Sequence, residues 1–114
     1  MQIKTGCDLI NIEKFKKIIE NQDVLKKIFT SHEIANSSSL ESLAGKFAAK
    51  EAVIKALQID PGNWHEIEII KQENGKPVAK INYYDRNIIS HDLSISHDGD
   101  YILAFSCFLI NDFK

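Results

Sequence analysis

Phe47-Ala48-Ala49-Lys50-Glu51-Ala52-Val53-Ile54-Lys55-Ala56 is the stretch around which the chain is organised. It reads as the middle of a helix running from about Leu40 to Leu57. Ser38 and Glu41 have the S-x-x-E spacing of a capping box ahead of the apolar run. The interior holds five alanines, one glycine and no proline, which favours helix. Pro61-Gly62 marks where the helix must already have stopped. At about 100° per residue, Leu40, Leu43, Ala44, Phe47, Ala48, Glu51 and Ile54 fall on one face. Glu51 lies near its centre, and a carboxylate there is costly to bury unless paired or bound to a metal. Lys46 and Lys50 are expected to form a separate basic edge. Gly45, Ala49, Ala52 and Ala56 make a third, small-residue side that lets another backbone come close. Glu51 and Lys55 also have the spacing of an ordinary i,i+4 ion pair, worth roughly 0.2–0.5 kcal/mol.

Upstream, Ile3, Thr5, Cys7 and Leu9 alternate with Gln2, Lys4, Gly6 and Asp8, the pattern of a half-buried strand. Asp8 projects to the side opposite Cys7 and Leu9. Gly6 leaves room beside it for a ligand or another backbone. A solvated strand-end aspartate is the simpler reading of the same residue. Asn11 is placed to cap a helix with Ile12, Phe15, Ile18 and Ile19 on its apolar side. Asp23 is expected to cap a second short helix through Val24, Leu25 and Ile28. Lys14, Lys16, Lys17, Lys26 and Lys27 make a local basic patch, either merely solvated or complementary to an acidic partner. Thr30 and Glu33 repeat the capping-box spacing and open one more helical turn.

Beyond Pro61-Gly62 the period changes to that of strands. Ile67, Ile69 and Ile70 make one, Asn74-Gly75 signals a hairpin, and Pro77 to Ile81 forms the return. Tyr83 to Ile89 is ambiguous, with one helical turn an option. Leu93 to His97 alternates as a strand, Asp98-Gly99 signals a second hairpin, and Tyr101 to Ile110 is a long apolar strand. An early strand, a helical block and then paired antiparallel strands define an α+β fold in a single domain spanning residues 1–114.

The totals narrow the function. A net charge of −2 argues against non-specific nucleic-acid binding. No apolar run approaches the roughly 18 residues of a membrane span, and the N-terminus lacks a signal-peptide pattern. Cys7 and Cys107 are too few and too isolated for a metal knuckle or a disulfide framework. Their strand-like surroundings predict buried, reduced thiols in a cytoplasmic protein.

Gly6-Cys7-Asp8 followed by Phe47-Ala48-Ala49-Lys50-Glu51-Ala52-x-x-Lys55-Ala56 resembles the paired signature of the 4′-phosphopantetheinyl transferases. Asn74-Gly75-Lys76-Pro77, then Ser94-Ile95-Ser96-His97 with Tyr101 and Ala104, narrow the likeness to the small bacterial holo-acyl-carrier-protein synthase group. The likeness runs from about Ile3 to about Leu109. It implies transfer of the phosphopantetheine arm of coenzyme A to a serine of apo-acyl carrier protein, for fatty acid biosynthesis, with release of adenosine 3′,5′-bisphosphate. It implies a need for Mg²⁺, replaceable by Mn²⁺, and a homotrimer with an active site at each subunit interface. A non-catalytic acyl-carrier-protein-binding module of the same fold is the alternative.

By the same resemblance, Asp8 and Glu51 match the metal carboxylates, and Lys55 matches the lysine near the pyrophosphate. Phosphoryl transfer needs charge neutralisation and positioning more than covalent help, and Mg²⁺ takes one or two carboxylates plus phosphate oxygens and waters. Glu51, or a water held by the metal, is the candidate base for the carrier serine. His97 matches a contact to the pyrophosphate region. Lys46 and Lys50 match basic positions beside the nucleotide phosphates, and Asn74, Gly75, Lys76 and Pro77 match the hairpin against the adenine nucleotide. Acyl carrier proteins are acidic, which makes Lys14 and Lys17 the expected docking contacts. Lys14 stands where the family commonly has arginine, keeping the charge but losing the bidentate fork. No role is assigned to His91.

Overall fold

Leu40–Leu57 forms α4, with the bounds that the alanine-rich stretch predicts, and the other elements pack around it. The computed structural model describes residues 1–82 and 87–111. Strand β1 (Gln2–Asn11) leads into α1 (Ile12–Ile19), α2 (Gln22–Ile28) and α3 (Ser31–Ala35) ahead of α4. A 3-10 turn (Trp64–Glu66) then enters the hairpin β2 (Ile67–Lys71) and β3 (Pro77–Ile81), followed by β4 (Asn87–Asp98) and β5 (Tyr101–Asn111). Two antiparallel sheets result, one ordered β1-β5-β4 and the other made of β2 and β3. Asn87 to Ile89 belong to β4; the rest of the ambiguous segment, residues 83–86, lies outside the described residues.

Helix starts follow side-chain capping, though not always at the expected residue. Asn11 Oδ1 accepts from Lys14 N at 3.1 Å, as anticipated. Thr30 and Glu33 form the reciprocal capping box on α3. The cap of α2 is Asn21, whose Oδ1 accepts from Asp23 N at 2.9 Å, so Asp23 sits inside the first turn. The cap of α4 is Ser39 rather than Ser38, accepting from Ser42 N at 3.1 Å. Both corrections have one cause: either neighbour offers a short polar side chain, and only the entering backbone decides which acceptor meets an orphan N–H.

The deepest packing uses the small-residue side of α4. Gly45, Ala49, Ala52 and Ala56 are all buried, whereas on the expected apolar face Ala44, Ala48 and Ile54 are buried and Leu40, Leu43, Phe47 and Glu51 only half-buried. Strand β1 crosses this side so closely that a Cβ on Gly6 would lie 1.9 Å from Ala52 O and 2.8 Å from Ala56 N. Only glycine fits there. Opposite Gly6 in the β1–β5 register stands Ser106, fully buried, whose hydroxyl donates to Ala52 O at 2.9 Å. Phe15, Phe29 and Phe108 fill the remaining core, each worth about 1.5–3 kcal/mol relative to exposure.

Seating β1 on glycine reverses the expected sense of its alternation. Gly6, Asp8 and Ile10 face α4, and the apolar series Ile3, Cys7, Leu9 faces outward, with Ile3 70% and Leu9 61% exposed. Register pairs Cys7 with Phe105 and Leu9 with Leu103, and Leu103, Phe105 and Tyr101 are exposed as well. The outer face of the larger sheet is therefore an apolar surface. Cys7 is exposed and Cys107 half-buried, both as free thiols, which corrects the expectation that both are buried. Gly75, at φ 87°, supplies the left-handed residue that the β2–β3 turn needs.

Candidate active site

Asp8 and Lys55 meet where β1 crosses α4. Lys55 Nζ donates to Asp8 Oδ1 and to Cys7 O, both at 3.0 Å. The pair is partly open, with the lysine side chain 54% and the aspartate 15% exposed. Lys55 thus reaches across to the strand. Its hydrogen-bond and ion-pair partners do not include Glu51, so the i,i+4 pair that the spacing offers does not form. Glu51, adjacent to the Gly6–Ala52 contact, instead accepts from the indole Nε1 of Trp64 at 2.7 Å. Asp8 Oδ2 and Glu51 Oε2 accept no hydrogen bond among the described residues. No cluster of three or more His, Cys, Asp or Glu suited to a metal occurs among those residues. Two carboxylates with an open oxygen each still suit a hard divalent cation that completes its shell with substrate oxygens and waters.

Lys46 and Lys50 depart furthest from expectation. Neither lies on a basic edge. Lys50 is completely buried and pairs with the equally buried Glu33. Its ammonium also donates to Ile28 O at 2.7 Å and to Trp64 O at 3.1 Å. Glu33 in turn accepts from Thr30 N and Ile69 N at 2.9 and 2.8 Å. One ion pair, with all three ammonium protons committed and both carboxylate oxygens engaged, therefore ties together α2, α3, α4, the 3-10 turn and β2. Burial pushes the Lys50 ammonium below the usual lysine range, opposed by the hydrogen bond and charge of Glu33. Lys46 is 7% exposed and donates to Glu33 O, Asn36 O and Ser37 Oγ. Burial lowers its pKa too. A lysine reads as surface in any sequence pattern; here the capping-box glutamate supplies the counter-charge that draws Lys50 inside. Lys50 has no proton left for a nucleotide phosphate, and Lys46, with its own three acceptors, has none either.

A cleft of about 390 Å³ opens beside these residues, and Gly45, Lys46, Gly75, Pro77, Ile95 and His97 are among its lining. Four of the expected nucleotide contacts, Lys46, Gly75, Pro77 and His97, are thus brought together. His97 follows Leu93 and Ile95 on the inner side of β4, as parity predicts, and is exposed at the cleft. Lys76 is drawn instead to Asp92 of β4, and its hydrogen bond is the chief cause holding the Asp92 carboxyl below the usual range. Asn74 Oδ1 accepts from Lys76 N at 3.0 Å, which is turn chemistry. Asp8, Glu51 and Lys55 do not line this cleft. Lys14 and Lys17 are exposed on α1. His91 stacks on Phe108 with ring centroids 5.2 Å apart.

Trp64, which holds Glu51, and Glu33, which holds Lys50, are the partners that sequence reasoning missed. Glu33 carried a signal, since its capping-box spacing fixed one carboxylate oxygen, but nothing announced that Lys50 and Ile69 N would engage it. Trp64 carried no signal, because its partner Glu51 is 13 residues away and on another element.

The model of the 4′-phosphopantetheinyl transferase superfamily matches residues 4–106. A holo-[acyl-carrier-protein] synthase of Halalkalibacterium halodurans is 36% identical over 114 residues, covering 91% of this chain and 92% of that one. One from Borreliella burgdorferi is 39% identical over 116 residues, covering 88% and 93%. Among solved structures, the ACPS–CoA complex of Chronobacterium ammoniagenes superposes with a TM-score of 0.86 at 28% identity, covering 97% of this chain and 99% of that one.

Proposed function

The chain belongs to the 4′-phosphopantetheinyl transferase superfamily, and from that premise we propose which of its residues carry the reaction. It is a transferase of the holo-acyl-carrier-protein synthase type. It moves the 4′-phosphopantetheine group of coenzyme A to a serine of apo-acyl carrier protein and releases adenosine 3′,5′-bisphosphate. In chemical terms, the serine oxygen forms a bond to the phosphorus next to pantetheine. The bridging P–O bond to the nucleotide breaks, the serine loses its proton, and the leaving phosphate takes up negative charge.

Asp8, Glu51 and Lys55 are the residues proposed at this centre, and the Lys55–Asp8 contact at the β1–α4 crossing, with Glu51 one helical turn before Lys55 on α4, is the observation that carries the assignment. The half-exposed Lys55 ammonium is free to turn from Asp8 to an arriving diphosphate and to stabilise the charge that develops on it. Glu51 Oε2 is an open acceptor for the serine proton. Asp8 and Glu51 would hold Mg²⁺, or Mn²⁺ in its place, and the ion when bound supplies charge neutralisation at the diphosphate. The cleft lined by Lys46, Gly75, Pro77 and His97 is the proposed seat of the nucleotide end of coenzyme A. Asn74 and Lys76 flank it on the hairpin; Lys50 holds the fold behind it.

A homotrimeric assembly is part of the same proposal. The cleft and the carboxylate centre do not share lining residues on one chain, and the outer sheet face exposes Ile3, Leu9, Leu103 and Phe105. A homotrimer with interfacial active sites would cover that face and bring the cleft of one copy to the carboxylates of its neighbour. Lys14 and Lys17, with Lys16, Lys26 and Lys27, present an exposed basic surface to an acidic carrier. No described helix is long and apolar enough to cross a membrane, and a cytoplasmic role in fatty acid biosynthesis fits that surface.

The test is an intact-mass assay of apo-acyl carrier protein with the protein, coenzyme A and Mg²⁺, with and without chelator. The carrier gains the phosphopantetheine mass, and Glu51→Gln abolishes the gain while leaving the thermal midpoint near that of the parent. A normal rate in Glu51→Gln would remove Glu51 from the centre. Carrier binding without any mass gain would leave the non-catalytic module.

A further inference from the structure

We propose that Trp64 is a positioning residue for Glu51, fixing that carboxylate for the metal and substrate. The inference rests on the assignment of Glu51 to the reaction centre. A glutamate on a helix has three rotatable side-chain bonds, and a half-buried one samples several rotamers unless something holds it. Here the indole N–H holds Oε1 at 2.7 Å and leaves Oε2 open. The indole is itself held. Its ring lies 6.3 Å from Phe47, which stacks on Phe15 at 5.3 Å. Its backbone carbonyl accepts from the buried ammonium of Lys50 at 3.1 Å. The orientation of Glu51 is thereby referred through a rigid ring to the core at Phe15 and Lys50. Residues that orient a metal-binding carboxylate matter to affinity or activity by about 10–100-fold when removed.

Trp64→Phe separates positioning from packing. It keeps an aromatic ring against Phe47 and the backbone carbonyl for Lys50, and removes the N–H donor together with part of the indole's volume, whose packing share the thermal midpoint reads. The expected result is at least a roughly 10-fold rise in the Mg²⁺ concentration that half-saturates transfer, with the thermal midpoint near that of the parent and an unchanged KM for the carrier. Unchanged Mg²⁺ dependence and rate in Trp64→Phe, with Glu51→Gln inactive, would overturn the role of Trp64 and leave the site assignment standing. A normal rate in Glu51→Gln would overturn both. A readout independent of turnover and of any Trp64 variant comes from the protein itself, because Trp64 is the chain's only tryptophan. Mg²⁺ added with coenzyme A, in the absence of carrier, should change tryptophan emission in the parent and not in Glu51→Gln. Emission that is unchanged in the parent would overturn the proposal.

Discussion

Two lysines of α4, five residues apart, each pair with a carboxylate from another element and do opposite things. Lys50 and Glu33 are completely buried, and each also bonds backbone groups. Lys55 and Asp8 sit at an opening, with exposure to spare and an oxygen uncommitted. The residue types are the same and the helix is the same. What differs is how many partners surround each charge. A buried pair needs further hydrogen-bond partners to offset the desolvation of its two charges, which makes it structural. A half-open pair holds its charges for something else. A lysine in this helix is therefore architectural or left open to a ligand according to what lies opposite it.

The contrast breaks most visibly at the buried pair. Lys50→Met leaves Glu33 charged and unpaired at zero exposure, and the expected loss is about 3–5 kcal/mol, read from urea unfolding. A loss near that of a surface lysine would mean the two pairs do not differ. At the open pair the sign of the experiment reverses. Lys55→Met should cost about 10²–10³ in the transfer rate, equivalent to roughly 3–4 kcal/mol of barrier. The same variant should change stability by under about 1 kcal/mol, as an exposed ion pair does. A large stability loss with intact turnover would invert the comparison. Gly6→Ala tests what brings the open pair together. Its methyl group meets the α4 backbone, so overpacking should cost about 1–3 kcal/mol, and transfer should fall as Asp8 shifts from Lys55; full activity would show that the crossing does not set the site.

The smallest effect concerns a third group that is basic and part-buried, His91. Burial lowers its pKa below the ordinary 6.5, with the Asp92 charge opposing. Above 6.5 folded and unfolded chains are both neutral there. As pH falls through 6.5 the unfolded chain takes up the proton first, so stability is lost toward the folded pKa and then levels off. The thermal midpoint should fall slightly between pH 7.5 and 5.5, and His91→Phe, which keeps the stack on Phe108, should flatten that part of the profile. An identical slope in the variant would remove His91 as a contributor.

Several features were open to reading in one dimension. The bounds of α4 followed from alanine content and a later Pro-Gly; the hairpins followed from Asn74-Gly75 and Asp98-Gly99, the second turning at Gly99-Asp100. Asp8, Glu51 and Lys55 were singled out by their family spacing. Trp64 was invisible, since a lone tryptophan in a turn announces burial but not a partner. The outward series on β1 was misleading for a different reason. Alternation tells which residues share a side, not which side is inward, and the deciding fact was the glycine-sized gap between Gly6 and Ala52.

The α+β order of elements, the ends of α4 and the family to which the charged motif points can all be read along the chain. These depend on local backbone preference and on residue spacing, both carried by neighbours along the chain. Only the tertiary structure decided that Lys50 is inside and Lys55 outside, that β1 turns its apolar series away from α4, and that an indole holds Glu51. Each depends on a partner brought from another element, and the free energy of a charge is set by what surrounds it in space.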